Sequence, residues 1–181
     1  MDRNQLQSNL NAIVVLILCG VLLSAFGVQF VLHEQPCPLC LLQRLGMIGV
    51  GACLLMNVFL GIRPAYYGLA LICALVGGTV ALRQISLHVC PGFHTFGIPI
   101  LGLSLYTWSF VVFTCVVLSV ALLLFLYDPR DWIEQNAPQN VNAPLPPINW
   151  LGKLAFSVLL FVAVANVIST LFQCGLGPCA E

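Results

Sequence analysis

The stretch from Ala12 to Leu32 runs for 21 residues without a charged side chain, and four more stretches of similar kind follow it. A bilayer crossing takes roughly 20 predominantly apolar residues in a helix, so each of these is a candidate span. Leu41 to Leu60 holds 20 residues with Arg44 as its one charge, Ala65 to Leu82 holds 18 and closes on Arg83, and Leu154 to Phe172 holds 19. The uncharged stretch Phe96 to Tyr127 exceeds one span. Pro99 argues that its helix begins later, near Leu105, because proline inside a helix removes a hydrogen bond and clashes with the preceding turn. Five helices are expected, at about 12–32, 41–60, 65–83, 105–127 and 152–172, in a single all-α, polytopic membrane domain covering 1–181.

Composition agrees. Sixty per cent of the residues are hydrophobic and only 7% are charged, against roughly 25% charged in an ordinary soluble domain. Six basic and six acidic side chains could not cover the surface of a water-soluble protein this size. The net charge of zero and the lack of any basic stripe argue against nucleic acid as a partner. The first stretch does not read as a cleavable signal peptide, since its apolar core is too long and no A-x-A-like site follows it.

The segment YDPRDWIEQNAPQNVNAPLPPINW, 127–150, is rich in proline, asparagine and acids and reads as a connecting loop, its polar part at 128–149. Basic residues favour the cytoplasmic side of a membrane. With the N-terminus inside, the inner segments carry Arg3, Arg63, Arg130 and Lys153, while the outer segments 33–40, 84–104 and 173–181 carry no Lys or Arg. The expected topology is therefore N-terminus in, C-terminus out. Trp108, Trp150, Tyr66 and Tyr67 fall near helix ends, where interfacial aromatics belong.

That topology sorts the nine cysteines. Cys19, Cys53, Cys73 and Cys115 lie inside spans, where a free cysteine packs as a small apolar side chain. Cys37, Cys40, Cys90, Cys174 and Cys179 all fall on the outer side. If that side is a bacterial periplasm, it is an oxidising compartment in which thiol pairs become disulfides. Zinc would need about four thiolate or imidazole ligands, which His33, His88 and His94 could complete.

The stretch QPCPLCLLQR, 35–44, concentrates the chemistry. Cys40 falls about where the second helix begins, so unpaired backbone N–H groups and the helix dipole favour its thiolate. Arg44, four residues on, lies on the same face one turn deeper. There it would favour a thiolate or another anion beside it. An arginine inside a span is costly and points to function by default; the alternative is that it snorkels to the headgroups.

CPLCLLQR resembles the C-x-x-C-x-x-[QE]-R signature of the DsbB family, bacterial inner-membrane proteins of disulfide-bond formation. ALRQISLH, 81–88, is similar to that family's closing of the third helix, and ILGLSLYTWSFVVF, 100–113, to its start of the fourth. The resemblance covers roughly residues 10–127. It implies a four-helix bundle and a thiol:disulfide oxidoreductase. Electrons would come from a periplasmic, DsbA-like oxidase of thioredoxin fold and pass to a membrane quinone, ubiquinone or menaquinone. By that resemblance Cys40 would meet the quinone ring, Cys37 would exchange with a second cysteine pair, and Arg44, Arg83 and His88 would belong to the quinone site.

The chain also departs from the pattern. Family members carry their second pair in the outer loop between helices three and four, which here is short and holds only Cys90. Instead a fifth helix leads to an outer tail, 173–181, with the sequence QCGLGPCAE, in which Gly175, Gly177 and Pro178 favour turns. Cys174 and Cys179 are expected to replace the missing pair; the alternative is a structural disulfide. Two other function classes stay open, a copper- or zinc-handling membrane protein and an assembly subunit whose outer disulfides only brace the loops.

Overall fold

In the computed structural model, residues 3–31, 38–89, 102–127 and 149–174 are described. They form five helices: α1 Arg3–Val31, α2 Pro38–Leu60, α3 Pro64–Val89, α4 Leu105–Phe125 and α5 Trp150–Cys174. All five are long and apolar enough to cross a membrane. The protein is an all-α, multi-pass membrane protein.

Consecutive helices pack side by side from α1 through α4, and α5 returns to lie against α1 and α2. α2 is thus flanked by three helices, whereas α1 and α4 meet only thinly. The outer surface is apolar: Ile17, Ile72, Leu118, Phe161 and Phe172 are all exposed. Lipid tails are as apolar as these side chains, so the hydrophobic effect does not drive helices together here, and close packing must do so.

Two helices show how. On α3 the buried seam is Tyr67, Ala70, Ala74, Gly77, Ala81 and Gln84, with Gly78 buried beside it. On α5 it is Gly152, Ala155, Leu159, Val162, Asn166 and Ser169. Both series alternate steps of three and four, the seam spacing of left-handed helix packing. Most of these residues are small, which lets neighbouring backbones approach. At the tightest point the Phe113 ring of α4, only 2% exposed, wedges against Gly46 of α2 and Gly77 of α3. A Cβ on Gly46 would lie 3.2 Å from the Gly77 Cα and 3.3 Å from the ring, and a Cβ on Gly77 would overlap the ring.

The α2–α3 turn is three residues long, 61–63. Gly61 takes the left-handed conformation, φ 89°, that ends many helices and costs glycine little. The buried Asn57 side chain accepts the Arg63 backbone N–H at 2.8 Å, satisfying a donor at the turn.

α1 begins at Arg3, well before the apolar stretch that marks it in sequence. The added turns are polar, yet Gln7 and Asn11 are buried at 5% and 0% exposure. Gln7 Nε2 donates to the Leu126 carbonyl at 2.8 Å, and Asn11 Nδ2 donates to the Tyr67 hydroxyl at 2.8 Å. These bonds tie α1 to α3 and to the end of α4. α3 likewise runs past Arg83 to Val89, because its seam continues through buried Gln84 while Arg83 stays on the outer face.

Candidate functional site

Pro38 opens α2, a position where the missing N–H costs nothing because the first helical N–H groups have no partner within the helix. That start places Cys40 in the first turn of α2 with its side chain half-buried. Gln84, on the α3 seam and 2% exposed, points its Nε2 at the Cys40 sulfur from 3.5 Å. The Cys40 Sγ also lies 3.9 Å from Gln84 Oε1. Behind it Gln43, 3% exposed, donates from Nε2 to the same Oε1 at 2.7 Å.

Arg44 sits one turn deeper, 7% exposed. Its guanidinium does not reach outward to headgroups but turns into the bundle. Nη1 donates to Gln29 Oε1 at 2.8 Å, and Nη2 to the Ala25 carbonyl at 3.2 Å. The guanidinium carbon stands 4.5 Å from the centroid of the Phe26 ring, within cation–π range. Gln29 Nε2 in turn donates to Ser169 Oγ of α5 at 3.0 Å. Three helices therefore hold one cation: α2 supplies it, α1 binds it, and α5 buttresses the α1 side chain.

Two polar lines thus meet the CPLC end of α2, one from α3 to Cys40 and one from α5 through α1 to Arg44. Burial in a low-dielectric setting strengthens each hydrogen bond and makes it costly to lose. A sulfur with an amide donor at one side and a fixed cation one turn below is placed for chemistry in which negative charge develops on or beside it.

Of the residues singled out in the sequence, the structure brings Cys40 and Arg44 to this cluster. Arg83 lies outside it, exposed on α3, and its neighbour Gln84 makes the inward contact instead. His88 and Cys174 belong to the last turns of α3 and α5, but their side chains lie outside the described residues. Cys37, Cys90 and Cys179 fall outside them as well, as do His33, His94 and the loop 128–148. Among the described residues no three of His, Cys, Asp and Glu converge on one point.

Gln29, Gln43, Gln84 and Ser169 are the functional candidates that sequence reasoning passed over. Gln43 and Gln84 stood within the two motif stretches, CPLCLLQR and ALRQISLH, so a signal was present. For Gln29 and Ser169 the only signal was a polar side chain late in an apolar span.

Among the helix cysteines, Cys19 is buried in the core. Cys53 and Cys73 are part-buried on α2 and α3, and a Cβ on Gly49 of α2 would lie 3.1 Å from the Cys73 sulfur. The polar groups described at the site do not reach these two cysteines.

A family model described as disulfide bond formation protein DsbB matches residues 7–94, which take in α1 from Gln7 onward, α2, α3 and the stretches CPLCLLQR and ALRQISLH, while 100–113 lies beyond it. The disulfide bond formation protein B of Marinobacter nauticus is 32% identical over 159 residues, a match covering 67% of this chain and 95% of that protein. Its namesake in Chromobacterium violaceum is 40% identical over 76 residues, covering 40% of this chain and 46% of that protein. The one in Cupriavidus necator is 28% identical over 141 residues, covering 61% and 88% respectively. No solved structure matches the chain. The cysteine at the head of α2 with a buried arginine one turn below it, and a relative matched along nearly its whole length, lead to one conclusion: this chain belongs to the DsbB family of disulfide bond formation proteins.

Proposed function

We propose that this protein is a membrane thiol:disulfide oxidoreductase that reoxidises a soluble dithiol partner and passes the electrons to a membrane quinone. The observation that carries the reading is the pairing of Cys40, at the first turn of α2, with the guanidinium of Arg44 buried one turn beneath it. The soluble partner would be a periplasmic, DsbA-like oxidase of thioredoxin fold, and the protein would lie in the bacterial inner membrane with its C-terminus outside.

In this scheme each thiol step is attack of a thiolate on a disulfide sulfur through a mixed disulfide. A partner thiolate attacks the Cys174–Cys179 disulfide, and the partner's second thiol resolves the mixed species. Cys174 and Cys179 are left reduced and the partner oxidised. That pair reduces Cys37–Cys40 in the same manner, Cys37 being the sulfur attacked and Cys40 the thiolate released. A bound quinone would supply the two-electron, two-proton acceptor that lets the Cys37 and Cys40 thiols return to the disulfide. Arg44 would hold the quinone oxygen on which charge develops, and its fixed hydrogen bonds mean that little reorganisation accompanies that change. Arg83 and His88 remain candidates for the same site through the family resemblance.

The packing of α5 supports the tail as relay. Ser169 is bonded to Gln29, which holds Arg44, so the outer end of α5 stands beside the site. Cys174 follows five residues later on the same helix, about 7 Å further along the axis at 1.5 Å per residue. Cys40 is one turn, about 5–6 Å, out from Arg44 in the same direction. Both cysteines therefore lie on the outer side of the Arg44–Gln29–Ser169 chain, on helices that pack against each other.

The test is reconstitution of the full chain with quinone and a reduced thioredoxin-fold dithiol protein, following quinone absorbance. Wild-type protein should reduce quinone at the expense of the partner's thiols, and Cys40→Ser should abolish this. Persistent turnover of Cys40→Ser, or stoichiometric copper or zinc binding with no quinone reduction by the wild type, would remove the proposal.

A further inference from the structure

We infer that Gln84 is a positioning residue for the Cys40 sulfur, with Gln43 fixing the orientation of its amide. The importance of that sulfur rests on the redox reading above; the contact itself does not. Gln43 Nε2 donates to Gln84 Oε1 at 2.7 Å, which leaves the other end of the Gln84 amide facing Cys40 with Nε2 at 3.5 Å. Both glutamines are nearly fully buried, so water does not compete for the bond between them.

The amide suits a sulfur that changes protonation. A Cys40 thiol can donate its weak S–H toward Gln84 Oε1, 3.9 Å away. A Cys40 thiolate can accept from Gln84 Nε2 without any movement of the glutamine. A lysine at this place would favour only the thiolate and would bury a second cation near Arg44, and a leucine would meet neither state. Glutamine serves both without adding net charge to a low-dielectric interior.

The reach of Gln84 depends on how closely α3 approaches α2. Gly46 and Gly77 set that approach, since a Cβ on Gly46 would already lie 3.2 Å from the Gly77 Cα. Gln84 lies two turns further along the same α3 seam. Arg83, rotated by about 100° from it, is carried to the exposed face. The choice of Gln84 over Arg83 as the inward residue is therefore made by the helix seam.

The test uses the full chain in detergent, reduced beforehand, and iodoacetamide as the probe. The Cys40 thiolate displaces iodide and forms a carbon–sulfur bond, and mass spectrometry resolves the alkylated site. At fixed pH, Gln84→Met should slow Cys40 alkylation about tenfold, since a hydrogen bond to a charged group is of the order that produces such a factor. Cys53 alkylation should stay close to wild type, while the thermal unfolding midpoint should fall modestly because the buried Gln43 amide loses its acceptor. Gln84→Glu, which has no donor for the sulfur when ionised, should slow alkylation at least as much. If Gln84→Met does not fold, Gln43→Met decides: it frees the Gln84 amide and should slow Cys40 about threefold. An unchanged Cys40 rate in the folded Gln84→Met protein, or in Gln43→Met where that stands in for it, overturns the inference. The assay contains neither quinone nor dithiol partner, so failure of wild-type quinone reduction would overturn the redox reading and leave this result standing.

Discussion

Adding one methyl group at Gly77 should loosen the bundle more than almost any other single-carbon change. The new Cβ would overlap the ring of Phe113, a side chain only 2% exposed. The ring cannot retreat towards α2, because Gly46 already borders it there: a Cβ on Gly46 would lie 3.3 Å from the ring. Relief therefore requires α4 to move away from α3, or the ring to leave its rotamer. Overpacking of this kind costs ~1–3 kcal/mol, and a backbone shift puts the expected value for Gly77→Ala in the upper half, ~2–3 kcal/mol. Gly46→Ala, whose contacts are tight without overlapping, should cost about 1 kcal/mol. The assay is reversible unfolding by SDS in mixed micelles, followed by circular dichroism. Phe113→Leu completes a double-mutant cycle: removing the ring should recover part of the Gly77→Ala loss, giving a favourable coupling of ~0.5–3 kcal/mol for contacting residues. A Gly77→Ala protein within ~0.5 kcal/mol of wild type, or strict additivity in the cycle, would refute the reasoning.

Arg44→Gln should raise the apparent KM for quinone by about tenfold or more, the worth of one charge-assisted hydrogen bond, while shifting SDS unfolding much less; unchanged quinone kinetics would reduce Arg44 to a structural side chain. Truncation after Phe172 should leave a folded protein that oxidises added dithiothreitol with quinone but fails to accept electrons from the thioredoxin-fold partner, and full-rate turnover with that partner would remove the tail relay. Tyr67→Phe should destabilise by ~1–3 kcal/mol in the same unfolding assay, because Asn11, at 0% exposure, loses the hydroxyl that accepts from it; a neutral result would mean that the buried amide finds another partner. Cys53→Ser and Cys73→Ser should each keep quinone reduction near the wild-type rate, and a loss matching that of Cys40→Ser would undo the separation of packing cysteines from reactive ones.

Helix number and class could be read from the sequence because they follow from a local quantity. A bilayer demands an unbroken apolar length, and that length is a property of consecutive residues. The shared face of Cys40 and Arg44 was equally legible, since four-residue spacing on one helix fixes it wherever the helix ends up. Helix ends were less so. α1 extends back through Gln7 and Asn11 because the partners that make them tolerable, the Leu126 carbonyl and the Tyr67 hydroxyl, come from distant parts of the chain. A hydropathy sum treats those residues as solvent-facing and stops short.

The inward choice between neighbours belonged to tertiary structure alone. Nothing local in ALRQISLH says whether Arg83 or Gln84 faces Cys40. The answer depends on which seam of α3 presses on α2, and that seam is set by Gly46, Gly77 and the Phe113 ring from a third helix. In the same way Gln29 and Ser169 became part of the Arg44 site only through the return of α5 onto α1 and α2. Sequence determines which segments cross the membrane and which residues share a helix face. The rotation and spacing of one helix against another depend on side chains that sequence separates by scores of residues, so the polar contacts that build the site exist only once the bundle has closed.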